Sequence, residues 1–304
     1  MRKFISSLRN TDTEKMRSTK LVEEVTVNLL RIAATTLPND VLDALKKAER
    51  EETSEIARTQ LRTILENVES AERLSLPMCQ DTGLPMFFVT GRCLPHLEEG
   101  IRRGVSRATS EIPLRPNAVH PLTRHNPGDN LGKGMPYLHY HQTDDDFTEI
   151  TVMPKGAGSE NMTALAMLNP SQGIKGVKAF VVDSVVQAGA NPCPPTIVGV
   201  GIGGSADEAL LLSKQAVLRR LDDENHDPTL AALETDLKEA LNLLGIGPMG
   251  LGGSTTVLAV KVEIAYAHTA SLPVGVTLQC WAARRASARI AHDGSVTYSR
   301  EGFR

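Results

Sequence analysis

The sequence is short of cysteine, of long apolar runs and of any excess charge. Four cysteines in 304 residues, Cys79, Cys93, Cys193 and Cys280, are too sparse for a disulfide scaffold. In a reducing compartment they are either small buried hydrophobes or chemically employed. No apolar run approaches the length of a membrane span. The charged start Met1-Arg-Lys-Phe-Ile-Ser-Ser-Leu has no apolar stretch behind it, so no signal peptide is expected. A net charge of only −3 leaves no basic excess for nucleic acid and no acidic block for a solvating tail. Internal repeats and low-complexity segments are absent too. These absences lead to the expectation of a soluble, cytoplasmic protein that engages neither nucleic acid nor membrane. The length suits one large core or two lobes.

What is present begins with helices. Residues 1–73 carry the three- and four-residue apolar steps of helix, with Leu21, Val25, Leu29 and Ile32 on one stripe. Leu37-Pro38-Asn39-Asp40 breaks the pattern and predicts a new helix with Asn39 or Asp40 as N-cap. A third helix is expected over 54–72, with Ile56, Leu61, Ile64, Leu65 and Val68 inward. This region holds no His or Cys and reads as support. From residue 74 onward the text is mixed. A strand is expected at 86–91, a helix over 96–110, and a long irregular segment over 112–134. Two strands flanking Asp144-Asp-Asp146 read as a hairpin. Helices are expected over 163–168, 176–190, 206–221 and 230–244, and strands at 196–200, 257–263 and 295–298. The predicted class is mixed α/β (α+β), one domain over 1–304, with a helical region 1–73 packed around a small mixed sheet.

Chemistry concentrates in Leu76-Pro-Met-Cys79-Gln80-Asp81-Thr82-Gly83-Leu-Pro85. A thiol, an amide, a carboxylic acid and a hydroxyl follow one another between two prolines, in a segment that is neither helix interior nor central strand. Such a turn is either a site on a rigid scaffold or a tight turn whose Asp81 and Thr82 bond their own backbone. The 112–134 segment is long enough to suggest function, and it carries Arg115 and Arg124; a guanidinium suits a carboxylate. Lys155-Gly-Ala-Gly158-Ser offers glycine N–H groups to an anion or is simply a turn. Asn191-Pro-Cys193-Pro-Pro stiffens the backbone on both sides of a thiol. His268 and Cys280 sit at opposite ends of one loop–strand unit, whereas Cys93 has no acid or base pattern around it and reads as a spectator. A literal G-x-G-x-x-G at Gly199, Gly201 and Gly204, with Asp222 and Asp223 beyond it, is weak evidence for a dinucleotide: its first glycine falls inside the strand.

Three thiols thus lie in loops or at strand ends, far apart in sequence. If the fold brings them together, they can hold an iron–sulfur cluster with one iron left open as a Lewis acid, though their spacing is not that of a ferredoxin. Several segments taken in order carry a more specific signal. Cys79-Gln-Asp-Thr-Gly, Lys155-Gly-Ala-Gly-Ser, Asn191-Pro-Cys-Pro-Pro, Gly201-Ile-Gly-Gly, Leu244-Gly-Ile-Gly-Pro-Met-Gly-Leu-Gly-Gly and His268 leading to Leu272-Pro-Val-Gly-Val and Cys280-Trp together resemble the α part of the iron–sulfur hydro-lyases, that is, class I fumarate hydratases and L(+)-tartrate dehydratase α subunits.

The resemblance covers almost the whole chain. It implies a [4Fe–4S] cluster on Cys79, Cys193 and Cys280 but not Cys93. It implies Asp81 as proton donor to the departing hydroxyl, His268 near the substrate, and Gln80, Arg115 and Gly158 on the substrate carboxylates. In the family the carbon-acid base belongs to a β domain, which this chain stops short of. A separate β subunit, in an α2β2 type of hetero-oligomer, is therefore implied. The substrate implied is a small C4 dicarboxylate: Pro-Met-Gly-Leu-Gly-Gly leans toward fumarate/L-malate, while Cys280-Trp-x-x-Arg-Arg is similar to tartrate dehydratase. The alternatives from other classes are an NAD-dependent oxidoreductase built on the 199–204 glycines and a non-catalytic iron–sulfur electron carrier.

Overall fold

A computed structural model describes the backbone of residues 2–303 and the side chains of residues 16–303. The chain divides into two compact units, each assembled from separated segments. The first comprises Met1–Thr36, Ala71–Lys155 and Arg284–Arg304, and the second Leu37–Ser70 and Gly156–Ala283. The mixed α/β class expected from the sequence is what the structure has, in two mixed sheets, one in each unit.

The first unit contains α1 (Arg2–Thr35), β1 (Leu84–Gly91), α4 (Leu97–Glu111), β2 (Tyr137–Gln142), β3 (Phe147–Lys155), β8 (Ala286–Ala291) and β9 (Val296–Ser299). Its sheet runs β2-β1-β3-β8-β9. Val22, Val25 and Leu29 of α1 pack with Ile101 and Val105 of α4 over Phe87, Ile150, Val152 and Ala288 of the sheet. Of the predicted stripe on α1, Val25 and Leu29 are fully buried as expected, Leu21 and Ile32 lie half-buried on its rim, and Val22 joins the centre. The expected hairpin at 144–146 is not one. β2 pairs parallel with β1, and β1 separates it from β3, with which β1 runs antiparallel. The Asp144–Asp146 turn is too short-range a signal to show that another strand enters between its arms.

The second unit contains α2 (Asn39–Glu51), most of α3 (Glu55–Leu74), α5 (Ala157–Glu160), β4 (Ala164–Leu168), α6 (Gly173–Ala188), β5 (Thr196–Ile202), α7 (Ala206–Ala216), α8 (Pro228–Asn242), β6 (Val257–Ile264) and β7 (Leu272–Gln279). Its sheet has the order β4-β7-β5-β6. Three expectations change here. Pro38, not Asn39 or Asp40, occupies the N-cap position of α2. Asp40 is instead buried, with Oδ2 accepting the Leu221 N–H at 2.8 Å. On α3, Leu61, Ile64 and Val68 face inward as expected, but Ile56 is exposed and Ala57 takes the buried place. Residues 164–168, expected as helix, form the edge strand β4, antiparallel to β7. Ala-Leu-Ala-Met-Leu favours helix locally, and sheet pairing overrides that weak preference.

The glycines of the G-x-G-x-x-G motif have a packing role. A Cβ on Gly201 would overlap the Ala209 carbonyl and lie 2.6 Å from the Ser213 amide nitrogen, and one on Gly199 would overlap the Ser213 carbonyl. α7 therefore lies directly on β5, and the strand can bear no side chain there. Gly201→Ala is expected to lower stability by about 1–3 kcal/mol through forced separation of helix and strand, measured as a reduced urea midpoint. The acids beyond the motif are paired as well: Asp222 with Arg220 at 2.7 Å and Asp223 with Arg219 at 3.4 Å.

Glu52 ties the start of α3 to a glycine-rich loop. Only 1 % exposed, it accepts the N–H groups of Thr53, Ser54 and Ser254 and the Ser254 hydroxyl at 2.8–3.0 Å. Burial pushes its pKa up, but the hydrogen bonds from Ser54, Ser254 and Thr53 outweigh that and hold it below the ordinary 4.5. Because the folded-state pKa is depressed, its stabilisation is present above about pH 4.5 and disappears as pH falls through the lower folded value. Glu52→Ala is expected to cost about 2 kcal/mol or more at pH 7. The difference from the native chain should shrink on acidification, as followed by chemical denaturation at several pH values.

Candidate active site

The turn following α3 is held from both ends. The Met78 N–H donates to the Ala34 carbonyl at 3.0 Å. Asp81 Oδ1 accepts the Gly83 N–H at 3.0 Å and Asn117 Nδ2 at 3.3 Å. Gly83, at φ +80°, brings its backbone so close to Pro154 and Lys155 that a Cβ would clash at 2.7 Å. The local-turn reading of Asp81 is thus correct as geometry, and that geometry sets the carboxyl in one orientation. Cys79 and Asp81 are half-buried, whereas Gln80 is exposed.

Arg115 is docked beside this turn through its backbone. Its N–H donates to Thr82 Oγ1 at 3.0 Å, and Thr82 Oγ1 donates to its carbonyl at 3.3 Å. Buried Asn130 holds the same segment: Nδ2 donates to the Arg115 carbonyl and to Thr109 Oγ1, both at 3.1 Å, and Oδ1 accepts the Asn117 N–H at 2.6 Å. The long loop expected to be functional is therefore ordered, and its Arg115 side chain is left exposed. Sequence reading passed over Asn117 and Asn130. The only signal for them was the density of Asn and Pro in the loop, which is equally typical of plain turns.

The second unit carries Cys193, Cys280, Gly158 and His268. In the Asn191–Pro195 loop the backbone of Cys193 takes φ +55°, a region few non-glycine residues occupy. Its N–H donates to the Ala190 carbonyl at 3.0 Å, the Met249 N–H donates to the Pro194 carbonyl at 2.7 Å, and the Trp281 N–H donates to the Cys193 carbonyl at 3.2 Å. That last bond joins the Cys193 loop to the end of β7, where Cys280 sits. Gly158 is exposed in the four-residue α5, and a Cβ there would lie 2.9 Å from the Asn191 carbonyl. His268 is exposed, and its Nδ1 accepts the Ala270 N–H at 3.1 Å. In the neutral ring that bond leaves the proton on Nε2.

None of the four cysteines is in a disulfide, and three are half-buried while Cys93 is exposed. Among the described residues, no three His, Cys, Asp or Glu side chains converge closely enough for one metal ion. A cluster asks for something different: each thiolate binds its own iron, so the sulfurs need not surround a single point. In the second unit the Trp281 N–H joins the Cys193 loop to the segment bearing Cys280, so two half-buried thiols there stand on hydrogen-bonded backbone suited to ligating iron, and Cys79 lies half-buried on its own turn in the first unit. No helix is long and apolar enough to cross a membrane among the described residues.

Comparison with known proteins gives a consistent result. The model of the family described as fumarate hydratase (Fumerase) matches residues 23–289. A Methanocaldococcus jannaschii protein provisionally named L(+)-tartrate dehydratase subunit alpha is 50% identical over 283 residues, 90% of this chain and 99% of its own. The L(+)-tartrate dehydratase subunit alpha of Escherichia coli is 37% identical over 287 residues, covering 93% of this chain and 95% of its own. Its counterpart in Shigella sonnei has the same identity and coverage. Matched along nearly its whole length and through each of the turns described above, the chain belongs to the fumarate hydratase (Fumerase) family of hydro-lyases.

Proposed function

We propose that this chain is the α subunit of a [4Fe–4S] hydro-lyase that adds water to, or removes it from, a C4 dicarboxylate together with a separate β subunit. The observation that carries the reading is the constraint on the thiol loops. Trp281 clamps the strained Cys193 loop onto the strand end bearing Cys280, an arrangement a spectator cysteine such as exposed Cys93 does not need.

We assign Cys79, Cys193 and Cys280 as cluster ligands. When bound, the cluster supplies a Lewis acid for the substrate's C2 oxygen. Asp81 is assigned as the acid. In dehydration its proton passes to the departing C2 hydroxyl, the C–O bond breaks and water leaves. A base on the β subunit takes the C3 proton, and that C–H pair becomes the new double bond. Asp81 Oδ1 is held by Gly83 and Asn117, so the carboxyl does not have to search for its orientation during the step. Exposed Arg115 and Gln80 and the Gly158 N–H are assigned to the substrate carboxylates, where they offset charge that builds up when C3 loses its proton. His268 presents Nε2–H as a further donor near the substrate. The single-domain organisation over 1–304, the cytoplasmic location and an α2β2 assembly belong to the same reading.

Fumarate/L-malate is the substrate pair we favour, in keeping with the family description. The names of the relatives support L(+)-tartrate to oxaloacetate as the second reading. The two substrates differ at C3, where the β subunit is expected to supply the contacts. The test is to co-express the chain with a β subunit, reconstitute it anaerobically with iron and sulfide, and assay both reactions. Turnover of one pair is expected. A fully loaded complex that turns over neither, or a colourless chain that binds a nicotinamide cofactor instead, refutes the proposal.

A further inference from the structure

Within the first unit, the turn bearing Asp81 and the segment bearing Arg115 hang from one buried amide. Asn130 is 2 % exposed, and both ends of its side chain are fully engaged. Oδ1 accepts the N–H groups of Asn117 at 2.6 Å and Ala118 at 3.2 Å. Nδ2 donates to the Arg115 carbonyl and to Thr109 Oγ1, both at 3.1 Å. A main-chain N–H only donates and a carbonyl only accepts, so the amide fits in this one orientation. Thr109 is on α4 and is anchored in turn, its hydroxyl donating to the Val105 carbonyl at 2.8 Å. From the backbone that Asn130 fixes, Asn117 extends Nδ2 to Asp81 Oδ1 and to the Gly83 carbonyl, both at 3.3 Å. The Arg115 guanidinium, whose backbone is tied at both its N–H and its carbonyl, makes no hydrogen bond or ion pair of its own among the described residues.

We propose that Asn117 is a positioning residue for the acid and that Asn130 serves two assigned groups from its two ends, Oδ1 holding Asn117 for Asp81 and Nδ2 holding Arg115 for the substrate carboxylate. This rests on the roles given to Asp81 and Arg115 above. The Gly83 N–H and Asn117 Nδ2 both donate to Asp81 Oδ1. An oxygen that accepts two N–H groups is the carbonyl oxygen of the neutral acid, so the proton for the departing hydroxyl is carried on Oδ2. The torsion that exchanges the two oxygens is broad for a carboxyl group. Gly83 is a neighbour in the same turn, whereas Asn117 comes from a separate segment and fixes the carboxyl against rotation with the turn. Asn117 acts through Asp81 and does not touch the reacting atoms.

The test uses the anaerobically loaded α–β complex and compares native chain, Asn117→Ala, Asn117→Asp, Asp81→Asn and the double variant of Asp81→Asn with Asn117→Ala. The readouts are kcat, iron content and the inhibition constant of succinate, a C4 dicarboxylate with no hydroxyl to lose. Asn117→Ala, and Asn117→Asp, which keeps the shape but has no N–H to donate, should each lower kcat about ten- to a hundredfold. Iron content should be unchanged and succinate inhibition should stay within about twofold of native. In the Asp81→Asn background Asn117→Ala should add little, because the group it acts through is already gone. A role confined to bracing the loop predicts native-like kcat in Asn117→Asp, or the full further loss in the Asp81→Asn background, and either result overturns the proposal. So does a loss of kcat matched by an equal loss of succinate binding. If Asn117→Ala does not fold, Asn117→Asp decides alone. Asn130→Asp examines the two ends of the amide: it keeps an oxygen for Asn117 and Ala118 but has no N–H for the Arg115 carbonyl. Succinate inhibition should weaken about threefold or more while kcat stays within about twofold; the reverse split overturns the division between the ends. Unchanged kcat in Asp81→Asn removes the acid reading itself. A slow Asp81→Asn beside native-like Asn117 variants removes only the role of Asn117.

Discussion

Cys193→Ser is expected to abolish both iron retention and hydro-lyase activity, while Cys93→Ser leaves both near native. The contrast follows from placement. Cys193 has a positive φ in a loop tied down by the Ala190 carbonyl, the Met249 amide and the Trp281 amide, whereas Cys93 is exposed. A serine hydroxyl is nearly isosteric with the thiol, so the loop should survive. What disappears is the soft, readily ionised ligand that an iron–sulfur cluster requires. Iron and sulfide content and the visible charge-transfer band of the two anaerobically reconstituted variants check this directly. Full cluster content in Cys193→Ser would exclude that residue as a ligand, and loss of the band in both variants would point to general misfolding.

The second large effect is on chemistry alone. Asp81→Asn should lower kcat by about 10²–10⁴-fold with KM little changed, the loss typical of a missing general acid. The amide oxygen of Asn can still accept the Gly83 N–H and Asn117 Nδ2, which Asp81 Oδ1 accepts at 3.0 and 3.3 Å. The turn and the cluster content should therefore persist. Steady-state kinetics of the loaded α–β complex, alongside its iron content, separates the outcomes. Unchanged kcat removes Asp81 as proton donor, and lost iron would assign it to holding the turn.

Much of this molecule is local and was readable as such. The helices over 1–73, the strand after the Cys79 turn and the loop setting of Cys79, Cys193 and Cys280 depend on periodicity and on Pro and Gly placement. Those signals act over a few residues. The errors share one cause. Residues 164–168 have helix-forming composition but pair with β7, and the two arms of the 144–146 turn are separated by β1. Sheet neighbours are chosen by segments distant in sequence, so no local window contains them. The glycine motif at 199–204 illustrates the same limit: its composition fits a phosphate loop, and its environment is the backbone of α7.

By itself the sequence determined the mixed α/β class, the family and the set of thiols, carboxyl, amide and guanidinium from which a hydro-lyase site can be built. Residue types and their order in short turns are properties of the chain, and family membership is carried by those turns. Only tertiary structure decided how the groups are held. Asn117 reaches Asp81 across thirty-six positions, Asn130 fastens Arg115 across fifteen, and Arg284 meets the Asp81 carbonyl across two hundred and three. Each of these contacts depends on chain closure over a long loop and on burial that strips away competing water. Neither is encoded in any neighbouring residue, so the partner of Arg284 cannot be read from the Cys280-Trp-x-x-Arg-Arg segment that contains it.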